Sequence, residues 1–370
     1  MNVVIAGGGT AGHVFPAIAL ADELVADAAD ATVVTFVGSP DGQEATIVPA
    51  AGYRFQAVAA EPLRREFSMR TAKAPFIALG SVRTCLPLVR QADVVVGVGG
   101  YASVPAVLAA RWSGRPIVLH EQNAVPSLAN RSLARLARSI AVSFERSRAA
   151  FPGRVPIEVT GNPVRASITQ VLAHRDRLAT EAWGTFDLEP DRTTVAMFGG
   201  SLGALHLDQV VAGALSHLRD RTDLQLLVLT GPAHVEVVAG AAAADMPLRV
   251  RVLPYLERMD LALAITDLAV ARAGAGHIAE LTVCGVPSIL VPYPYATEDH
   301  QEANARVLVD AGAAELYLDA ELSPQGLASR ILDVVGDPDR MRRMARAAGA
   351  WGRPDAAGRL AGLVRQVASR

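Results

Sequence analysis

The sequence predicts an α/β protein with two doubly wound parallel-sheet domains. Short apolar runs alternate with helical patterns along the chain, which is typical of βαβ units. The length of 370 residues exceeds one ordinary core and favours two domains of roughly 150 to 200 residues each. Both halves also open alike: a strand at 3–6 precedes the glycines 7–9, and a strand at 194–198 precedes the glycines 199–200.

Composition indicates a compact globular protein, because 51% of the residues are hydrophobic and 19% are charged. The net charge of −2 conceals an asymmetry. Residues 1–165 carry 16 Lys and Arg against 12 Asp and Glu, a net +4, whereas the remainder carries 19 against 25, a net −6. A basic first half favours an anionic partner for that half.

Neither the cysteines nor the apolar segments indicate secretion. Cys85 and Cys284 lie far apart among apolar neighbours, which predicts two buried thiols in a reducing compartment rather than a disulfide or a zinc site. The longest apolar stretch, 94–110, is interrupted by three glycines and a proline, which disfavours a membrane span. The first strand begins near Asn2, so we expect no signal peptide and a soluble or peripheral cytoplasmic protein.

Turn signals and apolar runs place the remaining elements. In the first half we predict a helix at 43–51, a linker at 161–165, and strands at 32–37, 54–58, 93–97, 116–119, 140–142 and 157–160. In the second half we predict strands at 224–229, 248–253, 268–271 and 288–291, a polar loop leading into a helix at 295–304, and helices at 337–350 and 356–368. The last helix is expected to cross back over the first domain.

The segment 63–91 departs from the alternation of strands and helices. It contains six basic residues and a single acidic one, Glu66, with apolar residues interleaved. Such a segment suits an anionic membrane surface, where each basic residue adds about 1 kcal/mol. An amphipathic helix packed on the sheet with a solvated basic face is the alternative interpretation. The candidate membrane patch consists of Leu63, Arg64, Arg65, Phe67, Arg70, Lys73, Phe76 and Leu79.

The first glycine turn is a candidate ligand site. Glycine permits backbone conformations closed to other residues and brings bare N–H groups close to a bound group. The spacing Gly7-x-Gly9-x-x-Gly12 is also that of an ordinary dinucleotide-binding turn and is a weak signal by itself. His13 is the first side chain at this turn that is suited to acid/base chemistry.

Further polar groups follow predicted strands, at the sheet edge where open α/β folds bind ligands. The sequence His120-Glu121-Gln122-Asn123 follows the strand at 116–119, and indicates either a site or caps for the helix starting near 126. In the second half, Glu280 follows the glycine turn 273–276. Its carboxylate suits the two hydroxyls of a ribose, or alternatively stabilises the helix dipole.

Six motifs in register resemble the MurG family, within glycosyltransferase family 28, over essentially the whole chain. They are GGTAGH at 8–13, GGYAS at 99–103, HEQN at 120–123, GNPVR at 161–165, GGSLGA at 199–204, and the 273–280 turn followed by His300, Gln301 and Asn304.

The resemblance implies a GT-B fold, in which two Rossmann-like doubly wound domains face each other across a cleft. It implies an acceptor and membrane-facing domain at 1–163, with the helix at about 350–370 packing back on it, and a UDP-GlcNAc-binding domain at 164–349. The implied activity is inverting transfer of N-acetylglucosamine from UDP-GlcNAc to the C4 hydroxyl of the muramyl sugar of undecaprenyl-diphospho-MurNAc-pentapeptide (lipid I), which forms lipid II for peptidoglycan synthesis.

The same resemblance implies a peripheral enzyme on the cytoplasmic face of the cell membrane. Its implied partners are UDP-GlcNAc, lipid I, the anionic inner-membrane surface and cell-wall synthesis proteins, with no nucleic acid. It implies no cofactor. No carboxylate pair has convincing metal-ligand spacing, so the sequence requires no metal.

Site residues carried over by matching motif fall into two groups, the catalytic candidates and the donor contacts. His13 is the candidate catalytic base and Glu121 the alternative; both line the acceptor side, and either one acts as base or only positions the acceptor. Two departures concern the diphosphate contacts, since Ala273 and His277 replace a serine and a threonine that are common in the family. The implied donor contacts are Thr10, Ala11, Gly12 and Asn123 to the sugar or phosphates, Arg165 and Ser201 to the diphosphate, Leu256 to uracil, Ala275, Gly276, His277, Ile278, Ala279 and Glu280 to the nucleoside and phosphates, and Gln301 to the GlcNAc hydroxyls.

Three other functions stay open at this point. Another GT-B transferase with a lipid acceptor, such as a diacylglycerol glycosyltransferase, predicts the same fold without a reaction with lipid I. An NAD-dependent oxidoreductase also carries glycine turns, but only the poorly placed Asp41 follows the second strand as a ribose ligand. A non-catalytic membrane scaffold leaves the HEQN motif and Glu280 unexplained.

Overall fold

The computed structural model describes residues 1–26, 31–59, 69–200, 203–243 and 245–369, with the backbone alone over 69–78. The chain divides into two compact units. The N-terminal unit comprises Met1–Arg165 together with Arg353–Arg370, and the C-terminal unit comprises Ala166–Gly352.

The strands are short and mostly buried on both faces, as in parallel sheets covered by helices. They are β1 Asn2–Ala6, β2 Val33–Gly38, β3 Arg54–Ala57, β4 Val94–Gly97, β5 Ile117–Glu121, β6 Ser139–Val142, β7 Ile157–Val159, β8 Thr193–Phe198, β9 Leu224–Leu229, β10 Arg249–Leu253, β11 Leu268–Ala271, β12 Ser288–Leu290 and β13 Ala314–Leu316.

Helices connect most successive strands, and each one buries an apolar face. They are α1 Ala11–Ala26, α2 Glu44–Ala50, α3 Met69–Arg90, α4 Ser103–Trp112, α5 Leu128–Leu133, α6 Ala166–Thr169, α7 Arg175–Phe186, α8 Leu205–Leu218, α9 Val235–Ala239, α10 Met259–Ile265, α11 Ala275–Val283, α12 His300–Asp310, α13 Pro324–Val335, α14 Pro338–Trp351 and α15 Ala356–Ala368.

The N-terminal unit is built on a seven-stranded parallel sheet in the order β3-β2-β1-β4-β5-β6-β7. Alternation along β1 shows how both faces are covered, because successive side chains point to opposite sides of a strand. Val3 and Ile5 belong to the core under α1 and α15, whereas Val4 and Ala6 belong to the core under α3 and α4. The C-terminal helix α15 thus packs on the N-terminal unit, against α1.

The C-terminal unit repeats this plan with a six-stranded parallel sheet in the order β10-β9-β8-β11-β12-β13. Val195 and Met197 of β8 share a core with Leu207 of α8 and Ile331 of α13. In both units the strand order reverses direction beside the first strand, between β1 and β4 and between β8 and β11. Open α/β sheets bind ligands at the carboxyl ends of the strands at this point.

The predicted α/β class with two Rossmann-like doubly wound domains is confirmed. One local prediction was wrong, one agrees with the structure, and one strand was overlooked. The strand β5 continues through Glu121, so two of the HEQN side chains lie on the strand rather than after it. The helix α12 begins at His300, which places Gln301 in its first turn. The edge strand β13 was not predicted.

Candidate functional site

The first glycine loop follows β1 and is already occupied by a carboxylate of the protein. Glu44 is 2% exposed, and its two oxygens accept hydrogen bonds from the N–H of Gly9 and of Ser39, both at 2.8 Å. A Cβ on Gly8 would lie 2.1 Å from this carboxylate. An internal anion therefore satisfies the N–H of Gly9 that a dinucleotide-binding loop would offer to phosphate.

The loop after β1 also touches the loop after β4. Gly100 has φ +75°, and a Cβ there would lie 2.4 Å from the carbonyl oxygen of Gly8. Gly100 is therefore required both by its backbone conformation and by the close approach of the two loops.

His13 stands in the first turn of α1, at this meeting of loops. Its Nδ1 lies 3.2 Å from the hydroxyl of Thr10, and its Nε2 lies 3.1 Å from where a Cβ on Gly99 would be. The ring is partly buried, whereas Thr10 and Gly12 are exposed and Ala11 is intermediate. An imidazole that is held by a hydroxyl and still accessible suits proton transfer near neutral pH.

Glu121, the other catalytic candidate, is 1% exposed and saturated with donors. One carboxylate oxygen accepts from the backbone N–H of Asn123 at 2.9 Å and from its side-chain amide at 3.4 Å. The other accepts from the N–H of Ser127 at 3.0 Å and from the side chain of Asn130 at 2.9 Å. Burial raises the pKa of Glu121, and these donors oppose the rise. This geometry suits a residue that shapes the 121–130 loop, and Ser127 supplies the N-cap of α5.

His120 braces the same loop from inside the sheet. Its Nδ1 accepts from the amide of Gln122 at 3.1 Å, and that amide also donates to the carbonyl of Val98 at 2.8 Å. Its Nε2 lies 3.4 Å from the carbonyl of Gly161. Because His120 is fully buried, its pKa falls from 6.5 to about 4. The neutral ring therefore links the ends of β4 and β5 to the GNPVR turn. At the end of this turn, Cζ of Arg165 lies 4.7 Å from the centroid of the Phe15 ring.

The C-terminal unit presents a second group of predicted residues at the carboxyl ends of its strands. The turn after β11 leads into α11, whose first six residues run from Ala275 to Glu280 and hold Gly276, His277, Ile278 and Ala279 between them. The ring of His277 lies 6.1 Å from that of Phe198, at the end of β8. The turn is held by Asn304, whose buried amide donates to the carbonyl of Ala273 at 3.1 Å. These contacts bring the ends of β8 and β11 together.

Two further predicted donor contacts of this unit are Gln301, in the first turn of α12, and Leu256, in the loop between β10 and α10. The side-chain oxygen of Gln301 accepts from the N–H of Tyr293 at 2.9 Å, which fixes the loop after β12. Leu256 is partly exposed between β10 and α10. Ser201 lies outside the described residues.

The chain matches the models of both domains of one enzyme family. Residues 3–142 match the glycosyltransferase family 28 N-terminal domain, and residues 194–360 match the glycosyltransferase family 28 C-terminal domain. The chain belongs to glycosyltransferase family 28. It is therefore a glycosyltransferase.

Curated relatives of this family 28 chain carry one name, "UDP-N-acetylglucosamine--N-acetylmuramyl-(pentapeptide) pyrophosphoryl-undecaprenol N-acetylglucosamine transferase". The protein from Myxococcus xanthus is 42% identical over 98% of this chain and 91% of its own length. One from Desulfitobacterium hafniense is 40% identical over 96% of each.

Solved structures agree with this assignment. The crystal structure of Acinetobacter baumannii MurG matches with a TM-score of 0.77 and 28% identity over 99% of both chains. A UDP-GlcNAc 2-epimerase from Neisseria meningitidis, bound to UDP-GlcNAc, matches at a TM-score of 0.69 and 14% identity over 99% of this chain and 100% of its own, which shows the shared fold alone.

The predicted membrane patch of this family 28 enzyme lies mostly beyond the described structure. Leu63, Arg64, Arg65 and Phe67 fall outside the described residues, and for Arg70, Lys73 and Phe76 only the backbone of α3 is described. Leu79 is 38% exposed. Over the described part of the chain, no helix is long and apolar enough to cross a membrane.

Sequence reasoning overlooked several charged groups beneath the glycine loop that follows β8 in this family 28 enzyme, residues 199–204, which we call the second glycine loop. Arg272, which is 6% exposed, follows β11 and donates to the carbonyl of Pro292 at 3.1 Å and to the carboxylate of Asp319. Asp208 and His234 form a pair at 2.9 Å. Only the arginine carried a visible signal, because a charged residue between a buried strand and a glycine turn is rare. Within the ranges that the structure describes, no group of three His, Cys, Asp or Glu side chains is placed to hold a metal.

Proposed function

We propose that this family 28 enzyme transfers N-acetylglucosamine, with inversion, from UDP-GlcNAc to the C4 hydroxyl of the muramyl sugar of lipid I, which forms lipid II. The carrying observation is the full-length similarity to relatives that bear that name, at 42% identity over 98% of the chain. Two glycine turns offer different groups to a ligand, because the turn after β1 holds the internal Glu44 carboxylate and the turn at 273–276 leads to Glu280.

The donor nucleotide binds at the C-terminal unit in this proposal. Glu280 accepts hydrogen bonds from the two ribose hydroxyls, because a carboxylate offers one oxygen to each. The backbone at 275–279 and the Leu256 backbone hold the nucleoside and phosphates, and Gln301 binds the GlcNAc hydroxyls. Arg165 and Ser201 offset the diphosphate charge, and Thr10, Ala11, Gly12 and Asn123 contact the sugar or phosphates.

Acceptor activation falls to His13 in this proposal. The C4 hydroxyl must lose a proton as it attacks the anomeric carbon, and a general base typically contributes 10² to 10⁴-fold in rate. His13 is partly exposed in the first turn of α1, whereas the oxygens of Glu121 are both engaged by protein donors. We therefore assign His13 as the base and Glu121 as the residue that shapes the loop.

The leaving UDP carries the developing negative charge. Cationic and polar groups placed before reaction stabilise such charge without reorganisation during the step. The substitutions at 273 and 277 remove two hydroxyls that are common in the family, and a protonated His277 compensates as a phosphate donor. An unchanged kcat/KM in His277→Ala would contradict this compensation.

Titration calorimetry tests the donor assignment. The wild type should bind UDP and not NADH, which separates a transferase from an oxidoreductase. Glu280→Gln should lose about tenfold in UDP affinity and much less in affinity for 2′-deoxy-UDP, which lacks one of the two hydroxyls. Glu321→Gln, an exposed glutamate of the same unit, is the matched control. Equal losses for both ligands would contradict the ribose contact.

We also propose that the enzyme acts on the cytoplasmic face of the cell membrane, held at anionic lipid by the basic segment 63–91 and near other cell-wall synthesis proteins. The net +4 of residues 1–165 supports this proposal. Sedimentation with vesicles should show binding that needs anionic lipid, weakens with salt, and falls in Arg64→Glu/Arg65→Glu. Arg342→Glu/Arg343→Glu, on the exposed face of α14, controls for net charge. Binding insensitive to salt and lipid charge would contradict it.

A further inference from the structure

A buried acid and a histidine meet beneath the second glycine loop. Asp208, in the first turn of α8, has a side chain that is 3% exposed. One of its oxygens accepts from Nδ1 of His234 at 2.9 Å and from the N–H of Ala204 at 3.3 Å. Its other oxygen lies 3.5 Å from where a Cβ on Gly199 would be. The carboxylate is thus enclosed by the residues that begin and end the loop.

The imidazole of His234 is fixed against the same loop. Gly203 has φ +79°, and a Cβ there would lie 2.8 Å from Nδ1 and 3.2 Å from Cε1 of the ring. The side chain of His234 is 20% exposed. Among the described residues its Nε2 has no hydrogen-bond partner, and this atom is not enclosed. The imidazole of His234 therefore has one nitrogen, Nδ1, held by a buried carboxylate, and a second, Nε2, without a partner among the described residues.

Electrostatics at this position favour a bound anion on the histidine. An imidazole whose Nδ1–H is held by a carboxylate has one fixed orientation, and the protonated ring offers Nε2–H as a charged donor. Burial raises the pKa of Asp208, and the bonds from Ala204 and His234 together with the charge of Arg272 oppose the rise.

We propose that His234 binds the donor diphosphate as an imidazolium: Asp208 holds its Nδ1–H and orients the ring, and its Nε2–H donates a hydrogen bond to a phosphoryl oxygen. This inference rests on the proposed function, because a nucleoside diphosphate is the anion that the second glycine loop receives there. His234 thereby supplies a positive charge to the leaving group from the C-terminal unit.

A purely structural pair would behave differently. The Asp208 and His234 side chains could only connect α8 to the loop after β9. In that case their removal would lower the affinity for every ligand of the unit by the same factor. A phosphate contact instead affects only ligands that carry phosphate. Uridine and UDP share the nucleoside and differ in the diphosphate, so the ratio of their affinities isolates the contact.

Calorimetry with uridine and UDP tests the proposal on the full chain. His234→Ala should lower the affinity for UDP about tenfold, which is the size of one lost charge-assisted hydrogen bond. The affinity for uridine should change by less than about twofold. His234→Gln, which keeps a donor without the charge, should lose less. Asp208→Asn should also lower the ratio, because an amide holds the imidazole less firmly than a carboxylate does. His217→Ala, at the exposed far end of α8, should match the wild type.

The possible results distinguish the phosphate contact of His234 from the donor site as a whole. A wild-type ratio of UDP to uridine affinity in His234→Ala, or equal losses for both ligands, would overturn the assignment of His234 and leave the donor site standing. A wild type that binds UDP no better than uridine would overturn the donor site itself. If His234→Ala does not fold, the same ratio measured in His234→Gln decides between the outcomes.

Discussion

Replacing Glu121 by glutamine tests whether this residue shapes its loop or removes the acceptor proton. The substitution keeps the volume and turns one oxygen acceptor into an NH₂ donor. The four donors around Glu121 belong to Asn123, Ser127 and Asn130. The amide therefore loses two accepted hydrogen bonds whichever way it is turned, and its NH₂ faces other donors.

The magnitude follows from the burial of these groups. The glutamine amide has two orientations, with its NH₂ toward Asn123 or toward Asn130. The first costs less unfolding free energy, because Asn123 is partly exposed whereas Asn130 is fully buried. Two partly buried donors that lose the Glu121 acceptor, at the lower end of roughly 1 to 3 kcal/mol each, predict a loss of about 2 to 3 kcal/mol in unfolding free energy for Glu121→Gln. Glu121→Ala strands all four donors, so we expect a loss of about 4 kcal/mol.

Urea unfolding of the N-terminal unit measures this loss. Trp112 is the tryptophan of that unit, so a Trp183→Phe/Trp351→Phe background makes fluorescence report on it alone. Glu145→Gln is the control, because this glutamate is exposed and should change stability by less than about 0.5 kcal/mol. A Glu121→Gln variant with wild-type stability and a kcat reduced a hundredfold or more would refute the structural role and identify Glu121 as the base.

Three further predictions follow from burial and close contacts. Since the pKa of His120 is lowered from 6.5 to about 4, only the unfolded state binds its proton between these values. Stability should therefore fall by roughly 3 kcal/mol as the pH drops from about 6.5 to 4, with a smaller fall in His120→Gln; equal urea-unfolding profiles would contradict this. Gly100→Ala should lower the melting temperature, because its Cβ would lie 2.4 Å from a backbone oxygen, whereas Gly80→Ala, in open space on α3, should not. Burial raises the pKa of Cys85 to about 11 and of Cys284 to about 12, so neither thiol should react with a disulfide reagent at pH 8 until urea unfolds the chain; rapid native labelling would contradict it.

Much of the fold followed from local patterns in the sequence. Some strands are recognisable as short apolar runs between turn residues, for example β4, with the sequence VVVG, and β9, with LQLLVL. The strand β13 did not, because three residues with a central glutamate carry no periodic signal. The end of β5 was placed too early, since His120 and Glu121 are polar yet buried through partners elsewhere in the chain.

The candidate site was less accessible to sequence reasoning, because its polar groups are paired over long distances along the chain. Nothing near Glu44 indicates that its carboxylate returns to Gly9, 35 residues earlier. The pair of Asp208 and His234 spans 26 residues and joins a helix to a loop after another strand. Glycine motifs predict where a ligand site lies, whereas such contacts, which decide what each loop offers, emerge only from the fold.

The most direct test of the account is transfer of labelled N-acetylglucosamine from UDP-GlcNAc to a short-chain lipid I analogue, with diacylglycerol as the competing acceptor and EDTA in a parallel reaction. We predict label on the lipid I analogue, none on diacylglycerol, undiminished transfer in EDTA, and a loss of turnover in Glu280→Ala. Label on diacylglycerol alone, or tight UDP binding without transfer to lipid I, would contradict the proposed acceptor.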